Sequence, residues 1–237
     1  MPLPLYLALT APEISAANPL PEHLAYMACH FSSSNMGLSN FPLTLPEGSM
    51  LILNDSTPAG GHDPELISRQ VSQIVEQFGC RSVLLDFQRK KDDQICRIIQ
   101  AIIRDISCPV AVSEIYATQL NCPVFLSAVP ADRPLKEWLR PWEGRDIWLE
   151  AALDASVITL DKSGSSMSPC APCDPDVLPY CANTLHCHYK IEIAPEQVQF
   201  TLQRTQEDLN KLLLEAQTLG VAVAVGLYQE LGSFSLS

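Results

Sequence analysis

Residues 81–93, Arg-Ser-Val-Leu-Leu-Asp-Phe-Gln-Arg-Lys-Lys-Asp-Asp, turn from apolar to polar at a carboxylate, Asp86, and carry an amide two places on, at Gln88. Polar groups end other apolar runs in the same way: Asn54 and Asp55, Glu114, Glu150, Glu192 and Tyr228. Two carboxyls flanking a bond can divide acid and base roles when their surroundings push their pKa values apart. Asp86 and Glu114, on what read as successive strands, are the candidate pair, and with Gln88 and Glu192 they make up the candidate catalytic group. Asn54, Asp55, Tyr189, Tyr228 and Trp148 are the ligand-binding candidates. Such an acidic, hydrogen-bonding rim suits the hydroxyls of a neutral polyhydroxyl ligand. Each carboxylate also has an ordinary alternative, as a helix cap or a solvated loop group.

A second constellation lies further on. Cys170 and Cys173 are spaced Cys-x-x-Cys, Cys181 and Cys187 follow, and His186 and His188 flank the last. Four thiolates, or thiolates with an imidazole, could hold a structural zinc. A labile disulfide and free thiols are the alternatives. His30 and His62 with Asp55 form a further candidate metal set, as in a metal-dependent barrel hydrolase, and scattered loop histidines are its ordinary counterpart. Trp138, Trp142 and Trp148 read first as core, and if exposed as a stacking platform for sugar rings.

The elements that must position these groups alternate in type. Short apolar runs at 3–9, 24–31, 50–54, 82–87, 109–113, 123–128, 147–151, 189–193 and 221–226 read as strands. Between them lie helical patterns. Asp63-Pro64 is an N-cap with proline at the first helical position, Leu66 to Phe78 gives an apolar face, and Gly79 stops it. Isoleucines 95, 98, 99, 102, 103 and 106 repeat the pattern. A long helix is expected from Pro195-Glu196 to about Leu219, and 157–160 is expected to pair back on 147–151 as a hairpin. Continuously apolar strands separated by helices indicate a parallel sheet covered on both faces. Their number and the chain length favour a compact (β/α)8 barrel, an α/β fold with some helices shortened or missing. One domain over 1–237 is expected, with a Cys- and Pro-rich loop insertion at 162–187.

Composition narrows the partners. With Lys+Arg at 15 and Asp+Glu at 27, the formal charge is −12, which disfavours nucleic acid. The N-terminal apolar run has no Lys or Arg before it and is broken by proline, so neither a secretory signal nor a membrane span is expected. Nine cysteines then point to reduced thiols in a cytoplasm.

Leu84-Leu85-Asp86-Phe87-Gln88 resembles the barrel-strand signature of the chitinase-like glycoside hydrolases of family 18, whose acidic residues are spaced by one and end in a proton-donating glutamate. In that comparison Asp86 matches the final aspartate, and Gln88 stands in the glutamate position. Leu84 and Arg81 occupy upstream acidic positions, so most of the motif is absent. The resemblance implies a TIM-type barrel without a cofactor, directed at a glycan, with Glu192 and Tyr189 over its mouth. Glutamine cannot donate the proton, which implies carbohydrate binding with weak or no hydrolysis. A non-enzymatic scaffold, with the cysteine-rich loop as a surface for a protein partner, is the competing class.

Overall fold

The computed structural model describes residues 3–232. Along the chain run β1 (Leu5–Leu9), α1 (Ala11–Ala16), β2 (Leu24–Phe31), β3 (Leu38–Ser39), β4 (Met50–Asn54), α2 (Pro64–Phe78), β5 (Ser82–Asp86) and α3 (Asp93–Asp105). Next come β6 (Val110–Ser113), α4 (Glu114–Ala117), β7 (Val124–Leu126), α5 (Leu135–Leu139) and β8 (Ile147–Ala151). Five strands follow without a helix between them: β9 (Ala155–Asp161), β10 (Gly164–Pro169), β11 (Tyr180–Ala182), β12 (Cys187–Ala194) and β13 (Gln197–Gln203). The described chain closes with α6 (Gln206–Thr218), β14 (Val221–Leu227) and α7 (Tyr228–Leu231).

Eight strands, in the order β1-β14-β8-β7-β6-β5-β4-β2, pair in parallel, and β1 also pairs with β2. The sheet is therefore closed on itself as a (β/α)8-type barrel with shortened helices. Local sequence explains the helices. Asp63 caps α2 by accepting from Glu65 N at 3.1 Å, Pro64 sits at its first position, and Gly79 ends it in the left-handed region at φ 60°. Asp92 caps α3 in the same manner, accepting from Gln94 N at 2.6 Å.

The two faces of each barrel strand go to two cores. Leu51, Leu53, Val83, Leu85, Ile147 and Leu149 face outward and belong to one core with the isoleucines and valines of α2 and α3 and the leucines of α6. Tyr6, Met50, Ile52, Leu84, Ala111, Phe125 and Trp148 fill the barrel interior. Trp148, a candidate stacking surface, is thus only 3% exposed and belongs to the core, because the alternation of Ile147 and Leu149 outward sends it inward.

The region from β9 to β13 differs from the sequence expectation in three respects. Residues 157–160 pair with β10 and β13 rather than with β8. The stretch expected to be irregular carries β10 and β11. Pro195-Glu196 is a two-residue hairpin turn between Ala194 and Gln197, and the helix begins only after Thr205. The cause is periodicity. Val198, Phe200 and Leu202 alternate with polar residues, a strand pattern that outweighs the helix-start residues before it. The outcome is an antiparallel sheet, order β10-β9-β13-β12-β11, inserted between β8 and α6.

Arg204, buried to 2% exposure, pins the inserted sheet to the barrel. Its Nη1 donates to Val129 O at 2.9 Å, its Nε to His186 O at 3.3 Å, and its backbone N to Asp154 O at 2.8 Å. Asp154 reaches the same loop, accepting from Ala131 N at 3.2 Å.

Candidate functional site

The inward places at the carboxyl end of the barrel follow from the interior core. Met50 and Ile52 lead to Asn54, Leu84 leads to Asp86, and Trp148 leads to Glu150, each two residues along. These three line a recess at the barrel mouth of about 70 Å³, with Met27, Phe125 and Leu227 around them. Asn54 donates from Nδ2 to Met27 O at 2.9 Å, which fixes its orientation.

Asp86 is the most constrained of the three. Its Oδ1 accepts from Gln88 Nε2 at 2.6 Å and from Ser113 Oγ at 3.3 Å. Ser113 Oγ itself accepts from Phe87 N at 3.0 Å, so the end of β5 is locked to β6. Burial pushes the Asp86 carboxyl above its ordinary value, the bonds from Gln88 and Ser113 oppose the shift, and the Asp55 charge adds to it. Glu150 is likewise raised, first by burial, with the Asp86 and Glu230 charges adding and a hydrogen bond from Ala128 N, 3.0 Å away, opposing. The two carboxyls therefore share a poorly solvated mouth in which each disfavours ionisation of the other.

This pairing differs from the expected one. Glu114 starts α4, accepts from Ser127 Oγ at 2.8 Å and does not line the recess. The carboxyl that shares the mouth with Asp86 is Glu150, legible in the sequence as a strand-end acid but not singled out as a catalytic candidate. The signal that selects it is the alternation through Trp148.

The remaining candidates fall in different places. Asp55 is buried, and its two oxygens accept from Gln88 N at 3.1 Å and Arg89 N at 2.9 Å, so it holds the loop after β5 in shape. Tyr228 opens α7 directly after Leu227 of the recess, half-buried. Glu192 and Tyr189 lie on β12 of the inserted sheet, outside the barrel strands. Glu192 pairs with Lys190 at 2.8 Å, and Tyr189 packs its ring 5.2 Å from that of Tyr180.

Neither expected metal set assembles among the described residues. Cys187 is buried, its thiol is pushed up to about 11 by burial, and it donates to Ala131 O at 3.5 Å, so it is held as a thiol. Cys170 and Cys173 lie near each other but do not join Cys181 in a ligating group. His62 is buried with Nε2 3.0 Å from Ser32 O, while His30 bonds Phe31 O and Asn40, and no ligating group joins them to Asp55. The cluster that does form is Cys181, His188 and Asp208, on the inserted sheet and α6. Among the described residues no helix is long and apolar enough to cross a membrane.

A closed parallel barrel with an antiparallel sheet inserted after one late strand, and polar groups gathered at the carboxyl mouth, defines a TIM-type α/β fold. Solved structures agree. The spore cortex-lytic enzyme SleL of Bacillus megaterium matches over 94% of this chain and 70% of its own, at TM-score 0.55 and 9% identity. A chitinase from Chromobacterium violaceum matches over 98% and 96%, at TM-score 0.57 and 10% identity. The family 18 chitinase of Cycas revoluta matches over 94% of each chain, at TM-score 0.57 and 9% identity. No family model matches the sequence, and no curated protein is similar to it. At these identities the likeness is one of fold.

Proposed function

We propose that this is a carbohydrate-directed barrel protein whose mouth binds a chitin-type oligosaccharide or a related polyhydroxyl ligand with little or no hydrolysis. The observation that carries this reading is Gln88, at the end of the fourth barrel strand in chain order, bonded to Asp86 at 2.6 Å. An amide there can donate hydrogen bonds to a sugar but has no acid proton to give, and loss of general acid catalysis costs about 100- to 10,000-fold. Ligand class is supported by the Cycas revoluta chitinase of the same fold, known in complex with (GlcNAc)3, (GlcNAc)4 and allosamidin. The (GlcNAc)4 complex is of a variant carrying a glutamate-to-glutamine substitution.

The recess of about 70 Å³ is too small for a sugar ring. A small substituent would enter it, with the rings lying across the mouth. Any residual turnover would fall to Asp86 and Glu150, whose shared burial favours one carboxyl keeping its proton beside the other. The nine free cysteines support a reducing compartment, the cytoplasm, as the place of action.

The test is turnover of chitin-type oligosaccharides by the native chain and by Gln88→Glu. Turnover by the native chain should stay near the buffer background, and Gln88→Glu should raise it. Chitinase-like rates from the native chain would contradict the reading. A non-enzymatic interaction module is the second reading, favoured by the exposed apolar face of the inserted sheet, where Ile193 is 82% exposed. That reading predicts no glycan binding by either protein.

A further inference from the structure

We infer that Cys181, His188 and Asp208 form a binding site for a zinc-type divalent cation that joins the inserted sheet to α6. The inference is independent of what the barrel mouth binds. Cys181 on β11 lies directly opposite His188 on β12 in the antiparallel ladder, so both side chains leave the same, polar face of the sheet. Asp208 meets them from the first turn of α6, where it is fixed in a capping box: Thr205 Oγ1 accepts from Asp208 N at 3.2 Å, and Asp208 Oδ2 accepts from Thr205 N at 3.0 Å. One ligand-type atom from each of the three residues lies within 4.8 Å of the other two.

A tetrahedral zinc with bonds of about 2.0–2.3 Å holds its donor atoms about 3.3–3.6 Å apart. His188 Nδ1 and Asp208 Oδ2 are now 2.8 Å apart, so the site closes by moving these two apart by about half an ångström and drawing the Cys181 sulfur inward. Such movements are within reach of side-chain torsions, because Cys181 is exposed and its thiol bond to Asn183 Oδ1, at 3.1 Å, is at the surface. Thiolate, imidazole and carboxylate are the donor types zinc accepts, and three protein ligands leave a fourth position for water. The approach is open and acidic: His188 borders a recess of about 590 Å³ that is also lined by Asp176 and Glu207.

Two of the three ligands come from the inserted sheet and one from a helix that packs on the barrel through Leu209, Leu212 and Leu213. Bound metal would therefore strengthen the hold of α6 on the insertion, beside Arg204 and the contact of His186 with Glu215.

The experiment is a cobalt(II) titration of the full chain, purified without metal-affinity resin and kept reduced, with zinc displacement as the second step. Expected is one equivalent bound, a thiolate-to-cobalt charge-transfer band, its loss on adding zinc, and a rise in Tm with either metal. Cys181→Ser should abolish the band, and Cys181→Ser and His188→Gln should each weaken binding at least about tenfold. The double variant Cys170→Ser with Cys173→Ser should leave both band and affinity unchanged. The inference is overturned if the native chain shows no band, if Cys181→Ser and His188→Gln bind as tightly as the native chain, or if the Cys170 and Cys173 variant loses the band. Circular dichroism of each variant checks that the fold is kept, and His188→Gln decides the matter should Cys181→Ser fail to fold.

Discussion

The barrel strands and the inserted strands draw on the same residues, short runs of Val, Ile and Leu, and use them in opposite ways. In β4 to β8 both faces of each strand are covered, one by helices and one by the barrel interior, so the runs are continuously apolar. In β12 and β13 of the inserted sheet apolar and polar residues alternate instead. Tyr189, Ile191 and Ile193 share one face with Val198, Phe200 and Leu202, while Lys190, Glu192 and Thr201 share the other. Only the base of the apolar face is packed, around Ala131, Cys187 and Leu202, and Ile191, Ile193, Leu160 and Met167 at its far end are exposed. The barrel thus holds itself together by burial, whereas the insertion depends on a few specific ties to the barrel.

The sharpest way to break this contrast is to delete apolar volume in each region. Phe87 is fully buried, with its ring 5.5 Å from that of Phe31 and 6.2 Å from that of Tyr116. Phe87→Ala should cost about 3–5 kcal/mol in denaturant unfolding. Ile193→Ala, at the exposed end of the inserted sheet, should stay within about 0.5 kcal/mol of the native chain. Similar losses from both would mean that something covers the inserted sheet in solution.

Arg204→Ala comes next. It leaves the carbonyls of Val129 and His186 without their buried donor, at about 1–3 kcal/mol. Amide exchange should quicken across β9 to β13 and stay slow in β4 to β8. Uniform loss of protection would show that the two regions unfold as one.

The smallest effect is electrostatic, and its sign is opposite in the two regions. Asp86 and Glu150 in the barrel mouth are raised by burial, so between the ordinary carboxylate value and the raised one the folded chain holds more protons than the unfolded chain. Their contribution to stability is most favourable below that window and declines as pH rises through it. Asp208 is lowered by its hydrogen bonds from Thr205 and His188, against the opposing effect of its burial. Its contribution is complete above the ordinary carboxylate value and is lost as pH falls towards the lowered one. Accordingly, Glu150→Gln should flatten the decline of Tm with rising pH, and Asp208→Asn should flatten the acid limb.

The same contrast explains what could be read from the sequence. Barrel strands and the caps at Asp63 and Gly79 are local signals, and they predict β2, β4, β8 and α2 to within a residue or so. The insertion was harder, because Pro195-Glu196 serves a helix start and a hairpin turn equally well, and only the alternation of the next seven residues decides between them. At the mouth, Asp86 and Asn54 follow from strand ends alone. Placing Glu150 rather than Glu114 at the recess requires knowing which face of each strand turns inward, and that is fixed only when the barrel closes.

The central claim is that the mouth around Asp86 binds a glycan, and calorimetric titration of (GlcNAc)4 into the native chain and into Asp86→Ala tests it most directly. Saturable binding to the native chain that is lost in a folded Asp86→Ala variant is the predicted result. No binding by the native chain, or equal affinity in both, would contradict it.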